Sequence, residues 1–333
     1  MNDGARVGIL GTGSYLPSNR VTNDDIAARV AGATPDWIVR KTLIRERRWA
    51  AAGEAASDLA LQAAKRALAG SGVPADQIAY LVLATATGDS PLPTTACRIQ
   101  EALGVHGAVC IELNEACAGF IYGLELARSL IVTHPGAYVL VVAADVYSRI
   151  LDLADRRTAV LLGDGAAAAV VGQVPHPFGI VDIGLATRGD ARSLIWVEAG
   201  GSRLPASVDT VRRGAHFLRM DGRAVRDFVL ENVPRAVAGA LARAGVGVPE
   251  VDHFVPHQAN GVLVVELAER CDLSGARLHL TVEEYGNVGG ASIPIALDQA
   301  ARAGLLRDGS LVLLAGFGAG MSIGTCLMRW GSG

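Results

Sequence analysis

A cysteine, a histidine and an asparagine stand in this sequence where nucleophilic chemistry would want them. Cys117 follows the apolar run Val109–Leu113 and a polar corner at Asn114-Glu115. Small residues and a helical pattern of Phe120, Leu124, Ala127 and Ile131 come next. A thiol so placed lies at the positive end of a helix, where unpaired N–H groups and the dipole favour a thiolate. His257 opens the turn after Phe254-Val255-Pro256, and Asn287 sits in the glycine-rich stretch 284–292 that starts another helical pattern. In a doubly wound sheet, ligands gather beyond the carboxyl ends of strands, and all three residues occupy such ends. Taken singly they read as a small core residue, a hydrogen-bonded imidazole and a turn asparagine. Taken together they form a candidate Cys/His/Asn constellation.

The elements that must position them alternate in type. Strands are expected at 7–10, 79–84, 109–113, 138–144 and 166–171, and helices at 57–68, 94–103 and 117–132. Thr22-Asn23-Asp24-Asp25 has the composition of a helix start. Gly11-Thr12-Gly13-Ser14 reads as a turn after the first strand. It lacks the third glycine of a dinucleotide loop, and Leu16-Pro17 breaks the helix such a loop needs. Gly163-Asp164-Gly165 reads as a turn. A shift of 173 residues carries Ala67-Leu68-Ala69 onto Ala240-Leu241-Ala242, and the same shift superposes three later elements. This implies a duplication, with halves 1–173 and 174–333 and a hinge-like passage at 175–178. Alternating strands and helices in each half imply parallel sheets covered by helices. The irregular stretch 195–222 is long enough to cover a site.

Composition narrows the class. The chain has 333 residues, half of them apolar, and a formal charge of −3, which gives no footing for nucleic acid or a membrane surface. Five scattered cysteines without a Cys-x-x-Cys pair suggest neither a disulfide scaffold nor zinc, and point to a reducing cytoplasm. The remaining histidines show no metal-ligand spacing, so no metal is expected. The N-terminal residues lack signal-peptide features, and no apolar run of about 20 residues is evident.

Several motifs, in order, resemble those of the β-ketoacyl-acyl-carrier-protein synthase III family within the thiolase-like superfamily. They are Gly11–Pro17, Asp36-Trp37-Ile38-Val39, Ile44-Arg45-Glu46-Arg47, Ala116-Cys117-Ala118-Gly119-Phe120, Gly163-Asp164-Gly165-Ala166, Pro256-His257-Gln258-Ala259-Asn260 and Tyr285-Gly286-Asn287. The resemblance implies a duplicated α-β-α-β-α five-layered α/β fold, a homodimer, and no cofactor beyond the acyl-CoA or acyl-phosphopantetheine substrate. It also implies an acyl-carrier-protein partner. Cys117 would hold the acyl group, and His257 and Asn287 would meet the enolate of a decarboxylating malonyl thioester. Backbone N–H groups at Cys117 and in Phe317-Gly318-Ala319-Gly320 would form the oxyanion site. Trp37, Lys41 and Arg156 would contact coenzyme A, with Leu92 shaping the acyl pocket.

The chain departs from the family pattern at four places. Lys41 replaces an arginine, Gly261-Val262 replaces Leu-Arg, Glu115 replaces a small residue, and Asp221-Gly222-Arg223 lacks a usual asparagine. A carboxylate at 115 would raise the Cys117 pKa unless it points away. Such departures resemble specialised members of natural-product pathways. A non-decarboxylating acyltransferase uses the same covalent step and stays open at this level. So does a scaffolding protein that has lost activity.

Overall fold

The computed structural model describes residues 6–331. The expectation about the extreme N-terminus falls on Met1–Ala5, outside them. Helix α1 (Ala56–Ser71) buries Leu59, Ala60, Ala63, Ala64 and Ala67, a helical stripe of mostly methyl-sized side chains. A face that small lets a strand lie close. In β1 (Arg6–Tyr15), a Cβ on Gly11 would sit 2.4 Å from the Ser71 nitrogen, and one on Gly13 2.4 Å from the Ala67 nitrogen. The expected turn at 11–14 is therefore strand, bulged between Ile9 and Gly11. Its glycines serve close approach to α1.

Four further strands complete the first sheet: β2 (Ile78–Ala84), β3 (Val109–Leu113), β4 (Tyr138–Val146) and β5 (Asp164–Val174). Its order is β1-β5-β4-β2-β3. The second sheet holds β6 (Gly179–Thr187), β7 (His253–Pro256), β8 (Arg277–Leu278), β9 (Leu311–Gly318) and β10 (Ser322–Arg329). Its order is β6-β10-β9-β7-β8, the first order repeated.

Neither sheet is wholly parallel, which corrects the expectation from alternation. β2 runs parallel to β3 and β4, whereas β5 runs antiparallel to both β4 and β1. The second sheet repeats this pattern. Only the 3-10 turn Ala319–Met321 joins β9 to β10, too little chain for the crossover a parallel partner needs. Gly163-Asp164-Gly165 is not a free turn either. Asp164 starts β5 fully buried and accepts from the N–H and hydroxyl of Ser148 and the N–H of Ala50.

Helix α2 (Thr95–Leu103) joins α1 on the outer face of the first sheet, and α4 (Gly222–Ala244) and α5 (Gly261–Arg270) cover the second. Between the sheets lie α3 (Gly119–Thr133) and α6 (Ser292–Arg302). Phe120, Ile121, Leu124, Ile293 and Leu297 share one core with Val82, Val141, Val312 and Leu314. The layers are thus α-β-α-β-α. Removing a buried leucine side chain from the central layer, as in Leu124→Ala, would cost about 2–5 kcal/mol.

Among the described residues one helical run, Ala116–Thr133, is long and apolar enough to cross a membrane. Half of it is buried, and it forms α3 in the middle layer. The stretch 195–222 folds into a two-stranded ribbon, Ile195–Val197 with Leu218–Met220, and a short helix, Val208–Arg212.

Candidate active site

The sequence places Cys117 at a helix start. In the structure a 3-10 turn, Ala116–Ala118, precedes α3. Ala116 holds φ +45°, an uncommon conformation for a residue with a Cβ, and it turns the chain sharply out of β3. Gly318 closes in from the second sheet: a Cβ there would lie 2.6 Å from the Cys117 nitrogen. The expected active-site turn therefore meets the cysteine at Gly318, where β9 ends. Gly320 takes φ +77° beyond it.

His257 follows β7 and its N–H donates to Ala315 O at 2.8 Å. Its ring is 2 % exposed and meets Phe317 edge-on at 5.0 Å. Burial drives its pKa down to about 3, so the imidazole is neutral. Nδ1 lies 2.7 Å from Ser292 Oγ, which already accepts from the Gln258 N–H at 3.3 Å. Among the described residues Nδ1 is the one acceptor within reach of the Ser292 hydroxyl, so we assign the Ser292 proton to His257 Nδ1, which leaves Nε2–H as the remaining donor of the ring.

Asn287 is held on three sides. Its N–H donates to Leu161 O (2.8 Å), its C=O accepts from Gly163 N–H (2.9 Å), and its Oδ1 accepts from Gly289 N–H (2.9 Å). With Oδ1 occupied, the side-chain NH₂ is the group left to donate.

Cys117 and Asn287 both line two adjoining cavities. One, of about 260 Å³, has mostly apolar walls that include Ala86, Ile150, Leu161, Leu218 and Met220. The other, of about 500 Å³, also contains His257, Phe317 and Gly318 and reaches Trp37, Lys41 and Arg156. An apolar pocket and a wider cleft thus converge on a thiol opposed by two neutral donors. That arrangement can hold an acyl chain on sulfur while a second thioester approaches from the cleft.

The electrostatics differ from the expectation of a ready thiolate. Burial, and then the nearby Asp145, push the Cys117 thiol up to about 12, outweighing the helix terminus. The nearby Tyr147 hydroxyl and the backbone of Cys117 itself act the other way. The charge that acts on Cys117 is that of Asp145 and not of Glu115, whose Oε2 accepts from Ser322 Oγ at 2.5 Å. Asp145 is fully buried, and burial raises its pKa to about 7. It accepts from the N–H groups of Ala86 (2.9 Å) and Gly290 (3.0 Å) and from the Thr85 and Thr87 hydroxyls. Asp145 and Tyr147 carry no motif signal in the sequence, and Ser292 closes the glycine-rich stretch 284–292 without a role legible there. Only contacts far along the chain reveal them.

The four expected substrate-binding residues divide. Trp37 and Lys41, from the helix Pro35–Thr42, line the cleft beside Arg156, whose guanidinium lies 5.2 Å over the Trp37 ring. Leu92 lines neither cavity and is 85 % exposed, in the loop before α2. Within this chain it is therefore not part of the wall of the acyl pocket; from the same loop it is Ala86 that lines it. At the cleft, Arg226 is paired with both oxygens of Glu266 at 2.5 and 2.7 Å, and Val262 lies where a cation was expected.

A duplicated five-layered scaffold with a cysteine facing a histidine and an asparagine defines a thiolase-like condensing enzyme. Family models described as 3-oxoacyl-[acyl-carrier-protein] synthase III match residues 111–189, and its C-terminal region matches 241–330. An acetoacetyl CoA synthase of Streptomyces sp. (strain CL190) is 46 % identical over 98 % of this chain and 99 % of its own. A solved 3-oxoacyl-(acyl-carrier-protein) synthase III superposes with TM-score 0.93 at 35 % identity, covering 98 % and 100 % of the two chains. The priming β-ketosynthase of the R1128 polyketide biosynthetic pathway superposes at 0.90 and 32 % identity, covering 99 % and 98 %. The chain belongs to the 3-oxoacyl-acyl-carrier-protein synthase III family and is a condensing, acyl-transferring enzyme.

Proposed function

We propose that Cys117 accepts an acyl group from a thioester and that the acyl-enzyme condenses with a malonyl thioester. In the first step the Cys117 sulfur bonds to the acyl carbon, and the donor thiol leaves with a proton. The backbone N–H groups of Cys117 and Gly318 face the carbonyl oxygen that becomes the oxyanion. In the second step the malonyl carboxylate departs as CO₂. His257 Nε2–H and the Asn287 NH₂ donate to the enolate oxygen. The enolate carbon attacks the acyl carbon, and Cys117 leaves as thiolate to regain a proton. Two neutral donors suit this step, since they stabilise the forming anion without having to lose a proton.

The observation that carries this reading is the convergence of the apolar pocket and the cleft on Cys117, opposite a neutral His257 and a fixed Asn287. The cleft suits the pantetheine arm, with Trp37, Lys41 and Arg156 at its outer end. Because Arg226 is neutralised by Glu266 and Val262 adds no charge, the reading favours coenzyme A thioesters over an acidic carrier protein. β3 ends the first sheet with Val109 exposed, an edge that supports a homodimer.

The test is intact-protein mass spectrometry with a panel of acyl-CoA donors, followed by malonyl-CoA or malonyl-carrier protein. An adduct on Cys117, then CO₂ and a β-ketoacyl-CoA product, supports the proposal. An adduct that moves to another thiol without CO₂ would instead identify a simple acyltransferase.

A further inference from the structure

Asp145 stands next to last in β4 and lines neither cavity, so the condensation chemistry above gives it no task. It is fully buried, and the donors that meet it are all neutral. A buried carboxylate without a counter-charge is costly, and packing alone would be served better by an apolar side chain. Its two oxygens divide their partners between the halves. Oδ1 accepts from the first half: the Ala86 N–H (2.9 Å), the Thr87 hydroxyl (3.2 Å) and the Thr85 hydroxyl (3.4 Å). Thr87 Oγ1 is itself held, accepting from the Val146 N–H at 2.7 Å. Oδ2 accepts from the second half, from the Gly290 N–H at 3.0 Å. That N–H belongs to the 3-10 turn Gly289–Ala291, at the N-terminal end of α6, where negative charge is favoured. In the same turn the Gly289 N–H donates to Asn287 Oδ1 at 2.9 Å. The fit has no slack: a Cβ on Gly289 would lie 2.5 Å from Oδ2, and one on Gly290 2.9 Å from the Ala116 oxygen.

We propose that Asp145 is the positioning residue that sets the Asn287 amide against Cys117, by pinning the turn Gly289–Ala291 to the first half. The inference rests on the condensation reading and deepens it. Three donors fix Oδ1, so Oδ2 has one place to be, and the Gly290 N–H must come to it. A bond to an ionised acceptor is the stronger kind. Gly290 in turn fixes Gly289, whose N–H occupies Asn287 Oδ1 and leaves the NH₂ for the enolate. Misplacing such a donor by about 1 Å costs about 10²-fold in rate. The role belongs to the second step, since acyl transfer to Cys117 does not use the Asn287 donor.

The test compares Cys117 acylation, by mass spectrometry, with CO₂ release from malonyl-CoA. It uses the wild type, Asp145→Asn, Asn287→Ala and the double variant at about pH 8, above the raised carboxyl pKa of about 7. The asparagine keeps an oxygen for the first-half donors and turns an NH₂ towards the Gly290 N–H, which cannot accept. CO₂ release by Asp145→Asn should be slower by about 10–10²-fold. Acylation should be no slower, because removing the Asp145 charge favours the Cys117 thiolate. The double variant should release CO₂ within about twofold of Asn287→Ala. Unslowed CO₂ release, equal loss in both steps, or losses that multiply in the double variant would overturn the proposal. Thr87→Val removes one Oδ1 donor, keeps the charge, and stands in if Asp145→Asn does not fold. It should slow CO₂ release about threefold with acylation intact, and Thr87→Ser should restore the rate; no slowing in Thr87→Val counts against the pin. A wild type that is acylated but releases no CO₂ overturns the condensation reading, and this inference with it.

Discussion

The two halves share a backbone and divide the chemistry. Their 3-10 turns, Ala116–Ala118 and Gly289–Ala291, stand 173 residues apart, each before a central helix. The first residue of each has positive φ, +45° at Ala116 and +56° at Gly289. Each turn is preceded by an asparagine whose Oδ1 accepts from the N–H two residues on, Asn114 for Ala116 (3.4 Å) and Asn287 for Gly289 (2.9 Å). The side chains then differ. Cys117 corresponds to Gly290, His257 to Ala84, and Asp145 to Gly318. One copy presents a nucleophile and the other clears space and offers donors. A repeated turn geometry becomes a reaction centre only through the asymmetry of what it carries.

The hardest way to break that division is Cys117→Ala. Acyl transfer should fall by at least ~10³-fold, with no adduct seen by mass spectrometry. His257→Ala or Asn287→Ala should leave acylation of Cys117 largely intact. Each should slow decarboxylative condensation by about 10²–10³-fold, measured as CO₂ release from malonyl-CoA. If either variant abolished acylation as well, the two halves would not be dividing the steps.

The paired turns give a stability comparison. Gly289→Ala should destabilise by about 2–3 kcal/mol in denaturant unfolding, since its Cβ would meet Tyr147 at 2.2 Å and Asp145 at 2.5 Å. Ala116→Gly should lie within about 0.5 kcal/mol of wild type, relief of strain offsetting added freedom of the unfolded chain. Ser292→Ala should slow condensation about tenfold without changing Cys117 acylation, by loosening the His257 tautomer.

The smallest effect is on pH dependence. His257 has a folded pKa of about 3 against an ordinary 6.5, so the unfolded chain takes up the proton first. Its contribution is fully present above 6.5 and is lost as pH falls towards 3. Asp145, raised to about 7 from 3.8, opposes it: its contribution is greatest at low pH and is lost as pH rises through 7. His257→Gln should therefore show a shallower fall in Tm on acidification than wild type.

Much of this was legible in the sequence because the signals are local. A cysteine between a strand and a helix, and a repeat at constant offset, need only neighbouring residues to be read. The offset extends further than the sequence suggested, since β1 and β6 also begin 173 residues apart, at Arg6 and Gly179. Strand direction was not legible, because an apolar run looks the same either way and β5 returns antiparallel. Gly11 and Gly13 looked like a turn because the helix they touch lies more than fifty residues away. The roles of Asp145 and Ser292 could not be read, their partners being supplied by other elements.

The middle layer has a consequence for how this chain can be divided. α3 and α6 each present apolar side chains to both sheets, so each half's helix serves as part of the other half's floor. Cutting the polypeptide within 175–178 would bare that floor in both fragments. Neither piece would stay in solution by itself, and activity would return only on co-expression, when the two find each other before they precipitate.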